Sequence, residues 1–127
     1  LLHVYGSTVF SRLPSTRKYQ LEVFWSWKEI IHPIGRLGTA SRYDLLLENI
    51  LNIDMLLPIG IFLPLAYSKK IDWKVGLLIG IGISFSIELL QLVLCRGLFE
   101  FDDIIHNSLG FLIGILISNR ILRKSCK

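Results

Sequence analysis

Charged side chains are scarce in this sequence: Asp, Glu, Lys and Arg make up 19% of its 127 residues, against about a quarter in ordinary soluble domains. Cysteine is scarce too, with only Cys95, in an apolar run, and Cys126, so a disulfide-stapled scaffold is excluded. Hydrophobic residues make up 52%, which excludes intrinsic disorder. The composition predicts a one-domain integral membrane protein, with a small soluble helical protein as the distant alternative.

The net charge of +4 does not by itself indicate a nucleic-acid partner. The Lys and Arg residues lie between apolar runs, not in one block or on one helical stripe. This placement is typical of charges that flank membrane spans, so we expect no nucleic acid. The sequence contains no metal-ligand spacing such as HxxxH or CxxC, so we expect no metal and no other cofactor.

Three apolar runs predict transmembrane helices over residues 45–67, 75–95 and 102–122. About 20 helical residues, rising about 1.5 Å each, cross a hydrocarbon core about 30 Å thick. Short connections make neighbouring helices antiparallel. The predicted fold class is therefore all-α, a polytopic membrane helical bundle.

Residues 1–44 have a different character. Residues 1–12 are apolar, and we expect them to be the end of an earlier span that is missing or truncated. Residues 13–44 are predicted to form an interfacial or extracytoplasmic loop. Within this loop, residues 19–31 are densely aromatic, and Trp and Tyr favour the membrane–water boundary, where this segment would lie as a short amphipathic helix.

Lys and Arg are unevenly distributed among the connections, which predicts an orientation. The tail after residue 122 carries basic residues and no acidic one, and the connection at 68–74 holds three Lys against one Asp, so both are expected inside. The connection at 96–103 is acidic and is expected outside. The loop at 13–44 then lies outside although it is basic, which goes against the rule.

Polar and ionisable side chains interrupt all three spans, at spacings of three or four residues that place them on one face of each helix. In antiparallel helices these faces meet at one depth near one side of the membrane. The predicted ligand-binding residues are Asn52, Ser84, Glu88, Gln91, Arg96, Asp102, Asp103 and Asn107.

Two interpretations of these residues stay open. One is interhelical contact alone, aided by the small-residue pairs Gly76–Gly80 and Gly110–Gly114. The other is a binding or reactive site, which we favour around Glu88, because ionisable groups are costly in lipid and usually mark function. A serine nucleophile at Ser84 or Ser86 is unsupported, because no His shares their helical face.

Four blocks of sequence occur together in a recognisable order. They are FWSWK at 24–28, NIDMLLPIG at 52–60, SFSIELLQ at 84–91, and RGLFEFDDIIHNSLG at 96–110 followed by Gly114. Together they resemble the VanZ-like membrane protein family over residues 8–118. The last block is the most specific, because it sets an Arg, an acidic pair, an Asn and two Gly in order. Asp54 departs from the resemblance, since the family usually has an apolar residue there.

The resemblance implies a multi-pass protein of the bacterial inner membrane. The founding member of the family is associated with low-level resistance to teicoplanin, a lipidated glycopeptide antibiotic. By this resemblance the chain would contribute to such resistance or to other cell-envelope processes.

Three functions are compatible with these observations, and none specifies an oligomeric state. The first is an outward polar pocket that binds a membrane lipid, a lipid-linked cell-wall intermediate or the glycopeptide antibiotic, with Arg96 on an anionic group. The second is an intramembrane enzyme for a lipid or wall precursor, with Glu88 or Asp103 as general acid or base. The third is a structural subunit that meets a partner protein.

Overall fold

The computed structural model describes residues 18–32 and 39–125. In these residues, a short strand β1 (Lys18–Gln20) is followed by a short helix α1 (Trp25–Ile31) and two long helices, α2 (Thr39–Ala66) and α3 (Trp73–Val93). A second strand, β2 (Leu98–Glu100), leads directly into the long helix α4 (Phe101–Ser125).

The three long helices confirm the predicted membrane bundle. Each contains a segment long and apolar enough to cross a membrane: Arg42–Ala66, Trp73–Val93 and Phe101–Lys124. Helix α4 packs against both α2 and α3, whereas α2 and α3 barely touch each other. The buried apolar core lies along this central helix, where Phe111 and Ile115 pack with Leu56 and Ile87.

Glycine allows α2 and α4 to approach closely. A Cβ atom on Gly110 would collide with the backbone carbonyl of Ile53, and one on Gly114 would collide with that of Leu57. The reverse holds at Gly60, where a Cβ would meet the carbonyl of Phe111. Small residues let membrane helices pack backbone to backbone in this way, and Gly110 and Gly114 serve this contact.

The stretch predicted as a loop over residues 13–44 contains regular elements. Helix α1 falls where a short helix was expected, whereas strand β1 was not expected, and α2 begins at Thr39, before the predicted start of the span at residue 45. Hydropathy marks only the part of a helix that crosses the hydrocarbon core, and the polar turns that extend past it carry no such signal. The predicted span end at 1–12 lies outside the described residues.

The two strands pair in parallel, with Tyr19 opposite Phe99 and Gln20 opposite Glu100. Neither strand was expected, since three residues are too few to show the alternation that marks a strand. The pairing brings the segment before α1 beside the connection between α3 and α4.

The chain leaves α3 through a Schellman motif. Cys95 adopts a left-handed conformation with φ 53°, and the Arg96 amide donates to the Gln91 carbonyl at 2.8 Å. The Cys95 amide donates to the Leu92 carbonyl at 3.3 Å, which completes the motif. This turn directs the chain from α3 into β2 and on to the start of α4.

Candidate functional site

Buried and half-buried polar side chains collect at one end of the bundle, where α3 ends and α4 begins. The N-terminal half of α2 and the short helix α1 reach the same end. We call this set the polar cluster; it comprises Ser26, Asn49, Asn52, Ser84, Glu88, Gln91, Glu100, Asp102, Asp103, His106 and Asn107. The predicted meeting of polar faces from three helices is therefore present in the geometry.

Asp102 holds the start of α1. Its carboxylate accepts hydrogen bonds from the backbone amide of Phe24, the backbone amide of Ser26 at 3.3 Å and the Ser26 hydroxyl at 2.8 Å. Phe24 is the N-cap of α1 and has no capping side chain of its own. A carboxylate from α4 thus satisfies amides that a local cap would otherwise satisfy.

Asn49 extends this arm of the polar cluster to α2. Its side-chain amide donates to the Ser26 hydroxyl at 3.2 Å, and both side chains are buried. Three helices, α1, α2 and α4, are thereby joined through one serine oxygen.

Asp103 points to a different neighbour. The Asn52 side-chain amide donates to its Oδ1 at 2.6 Å, which links α2 to α4. On the other side, the Ser84 hydroxyl lies 3.5 Å from the Asp103 carbonyl and accepts from the Asn107 amide at 3.0 Å. Four predicted site residues therefore form one hydrogen-bonded chain across α2, α4 and α3.

Glu88 is almost completely buried on α3 and accepts a hydrogen bond from the Glu100 amide at 3.1 Å. Gln91 is buried one turn further along the same helix. Arg96 is half-buried in the connection, and it has an interaction partner within the chain, as do Glu88 and Gln91. The predicted residues of α3 thus belong to the polar cluster, and Arg96 lies in the connection that follows α3.

His106 and Trp27 belong to the polar cluster or touch it, although neither was among the predicted site residues. The Trp27 indole donates to His106 Nε2 at 2.7 Å, with the rings in an edge-on arrangement. Since Nε2 accepts, the proton of the neutral ring is on Nδ1. That nitrogen is buried and has no hydrogen-bond partner in the described parts of the chain.

Helical spacing points to two further residues of the polar cluster. It places Asn49 on the polar face of α2 with Asn52, although Asn49 was not among the predicted ligand-binding residues, and it places His106 one turn after Asp102. Ser26 and Trp27 carried no comparable signal, because their partners lie on α4, far along the sequence.

An open cleft of about 390 Å³ adjoins the polar cluster on the side of α2. Asp44, Leu47, Glu48, Leu51 and Asn52 line it. Asn52 is shared, since it lines the cleft and also donates to the half-buried Asp103. The cleft therefore connects the outside to the hydrogen-bonded chain.

The electrostatic character of this end is acidic. The carboxyl groups of Glu48, Glu88, Glu100 and Asp102 all lie within electrostatic range of Asp103. Carboxylate oxygens accept hydrogen bonds from hydroxyl, amide and ammonium groups. The arrangement is thus chemically suited to bind groups that donate hydrogen bonds.

A model of the VanZ/LLP1 family matches residues 3–123. The chain belongs to this family. No curated protein and no solved structure matches it. The family resemblance expected from the sequence is confirmed, and with its three candidate spans this VanZ/LLP1 protein is a multi-pass membrane protein.

The structure brings the predicted site residues of this VanZ/LLP1 protein to one end of the bundle. Among them, Asn52 lines the open cleft, whereas Ser84, Glu88 and Asp102 are buried. Their roles in binding a ligand stay predictions.

Proposed function

We propose that this VanZ/LLP1 protein binds the polar head group of an amphiphile at the outer face of a bacterial inner membrane. The ligand would be a lipid-linked cell-wall intermediate or a teicoplanin-type glycopeptide, and binding would raise tolerance to that antibiotic. The observation that carries the proposal is the position of Asn52, which joins the open cleft to Asp103.

Contact between helices does not explain the number of ionisable groups. Hydroxyls and amides suffice to join membrane helices, whereas buried carboxyl groups are costly in a membrane and usually mark function. Asp103 is half-buried beside the cleft, with other carboxyl groups within electrostatic range of it. A ligand that donates hydrogen bonds would offset this concentration of acidic groups.

The acidic lining favours a particular head-group chemistry. Glu48 and Asp44 are exposed in the cleft and Asn52 offers both a donor and an acceptor. Sugar hydroxyls and ammonium groups, which donate hydrogen bonds, fit such a lining. The role predicted for Arg96, pairing with an anionic group of the same ligand, stays a prediction.

A susceptibility assay tests the proposal. The full chain would be expressed in a teicoplanin-sensitive bacterium, and the inhibitory concentration would be measured for wild type and for the Asn52→Ala and Asp103→Asn variants. Asp54→Asn is the matched control, because Asp54 is an exposed carboxylate on the same helix and does not line the cleft. We expect tolerance to be lost in the first two variants and kept in the control.

Protein levels in the membrane must be equal for the comparison to count, which an immunoblot checks. Full tolerance in the Asn52 and Asp103 variants at equal levels would rule out this site. A direct readout is quenching of tryptophan fluorescence when purified protein is titrated with teicoplanin or with extracted lipid-linked precursor.

A second candidate is an intramembrane enzyme for a lipid or wall precursor. The half-buried Asp103 favours it, because a carboxyl group between cleft and interior is placed to exchange protons with a bound substrate. Mass spectrometry of lipids and wall precursors from cells with and without the protein decides between binding and turnover. Identical profiles would leave binding alone.

A further inference from the structure

The open cleft contains the carboxylates of Asp44 and Glu48, and we call it the acidic cleft. A second cavity lies on the other side of α2. It measures about 240 Å³, and Ile30 of α1 lines it together with Arg42, Tyr43 and Leu46 of α2. Among the residues that the structure describes, none lines both this cavity and the acidic cleft. This space is large enough for a phosphate group and the atoms that join it to a lipid.

Arg42 has an unsatisfied donor beside this cavity. Its Nε is buried and has no hydrogen-bond partner among residues 18–32 and 39–125. Buried polar atoms in proteins nearly always have a partner, so each exception calls for an explanation. A bound group with acceptor oxygens would satisfy this nitrogen.

The remaining walls of the cavity are apolar or amphipathic. Ile30 and Leu46 offer hydrocarbon, and Tyr43, which is largely exposed, offers an aromatic ring. A guanidinium beside hydrocarbon matches a molecule that carries an anionic group and an apolar chain. Guanidinium and phosphate form charge-assisted, often paired hydrogen bonds.

The position of Arg42 agrees with a membrane lipid. It lies three residues before the apolar run that begins at residue 45, so it stands near the point where that helix would leave the hydrocarbon core. Tryptophans 25 and 27 lie on the adjoining helix α1, and tryptophan favours the level of the head groups. The phosphate of a bilayer lipid lies at this same level.

We propose that this cavity binds the phosphate group of an anionic membrane lipid, with Arg42 as its donor and the lipid chain along Ile30 and Leu46. The site is separate from the polar cluster, so it does not depend on the function proposed above. Glu29 bears against the proposal, because it is buried, it is the sequence neighbour of Ile30, and its Oε1 has no partner in the described residues.

The full chain in nanodiscs of phosphatidylcholine provides the test. Brominated phosphatidylglycerol would be added in increasing proportion, and its quenching of tryptophan fluorescence would give a half-saturation value. Loss of a charge-assisted hydrogen bond predicts that Arg42→Gln raises this value by about tenfold or more, with Arg42→Lys in between. Arg123→Gln is the matched control, because Arg123 is an exposed cation in the last turn of α4, at the opposite end of the bundle.

Two further arms separate the alternatives. Binding of inorganic phosphate alone, measured by phosphorus NMR, should be much weaker than binding of the lipid. If phosphate binds as tightly as the lipid and Arg42→Gln abolishes this binding, the site takes soluble phosphate and the lipid proposal is wrong. Glu29→Gln should keep or strengthen lipid binding. If Glu29→Gln removes binding while Arg42→Gln does not, the cavity holds a cation and the proposal is wrong.

Misfolding would mimic loss of binding, so each variant must keep the wild-type circular dichroism spectrum and elution volume. Leu46→Phe is a second, uncharged variant that narrows the cavity and should also weaken lipid binding. Asn52→Ala and Asp103→Asn should leave lipid binding unchanged, which keeps a failure here distinct from a failure of the proposed function.

Discussion

Ser26 and Asp102 are separated by 76 residues, yet the Ser26 hydroxyl donates a hydrogen bond of 2.8 Å to the Asp102 carboxylate. Both side chains are almost completely buried. With the amides of Phe24 and Ser26 on the same carboxylate, α1 is fastened to the first turn of α4. These hydrogen bonds fix the short aromatic helix to the polar end of the bundle.

Asp102→Asn should loosen this attachment. An asparagine replaces one acceptor oxygen by an NH2 donor, which would face the donors of Phe24 and Ser26. A buried donor left without a partner costs about 1–3 kcal/mol, so we expect the free energy of unfolding to fall by about that amount. Unfolding by denaturant in detergent, followed by circular dichroism, measures it.

The control for this change is Glu22→Gln. Glu22 is paired with Lys28 at 2.9 Å, but both side chains are about half exposed, and exposed pairs contribute less than about 1 kcal/mol. Proteolysis near α1 should speed up in Asp102→Asn and not in the control. Equal loss of stability in the two variants would contradict the role assigned to Asp102.

An exchange of side chains tests the bond between Asn52 and Asp103. Asn52→Asp alone would place two carboxyl groups where the 2.6 Å hydrogen bond now lies, and we expect a loss of about 1–3 kcal/mol. Adding Asp103→Asn restores one donor and one acceptor with the roles reversed. The double variant should therefore be more stable than Asn52→Asp.

A double-mutant cycle over the four proteins gives the coupling energy, which should reach about 0.5–3 kcal/mol for residues in direct contact. A coupling energy near zero would show that the two side chains act independently. As a control, Asp54→Asn can be combined with Asp103→Asn. Asp54 is exposed on α2, so this pair should show no coupling energy.

Much of the bundle was predictable because its signals are local. Apolar runs of membrane length mark α3 and most of α2, and the spacing of Ser84, Glu88 and Gln91 marks the polar face of α3. Short connections then require antiparallel helices, which brings Asp103 to the level of Asn52. The hydrogen bond between these two residues follows from that geometry.

The parts that sequence reasoning missed depend on contacts between distant segments. Strand β1 exists because it pairs with β2, and α1 lacks a local cap because Asp102 supplies one. The hydrogen bond from the Trp27 indole to His106 on α4 was not expected either. The residue type indicates only a place near the membrane–water boundary, and nothing in the local pattern shows that the side chain also reaches a buried partner.

Trp27→Phe should destabilise the end of the bundle through His106. Phenylalanine keeps most of the ring but removes the donor to Nε2, which leaves a buried acceptor unpaired, at a cost of about 1–3 kcal/mol. Trp73→Phe is the control, since Trp73 is half exposed on α3 and its ring contacts Lys74. Thermal unfolding in detergent should separate the two variants, and equal midpoints would argue against the bond.

Gly110→Ala should disrupt the contact between α2 and α4 more than any change on an open helix face. The new Cβ would overlap the carbonyl of Ile53, which is backbone and cannot rotate away, so the helices must move apart. Overpacking of this kind costs about 1–3 kcal/mol. Unfolding in SDS, followed by circular dichroism, should show the loss.

Gly82→Ala is the control, because it makes the same chemical change on α3, where a Cβ meets no atom within 4 Å. Alanine at this position should be neutral or should stabilise the helix by up to about 1 kcal/mol. If the two alanine variants unfold alike, close backbone contact at Gly110 does not hold the bundle together.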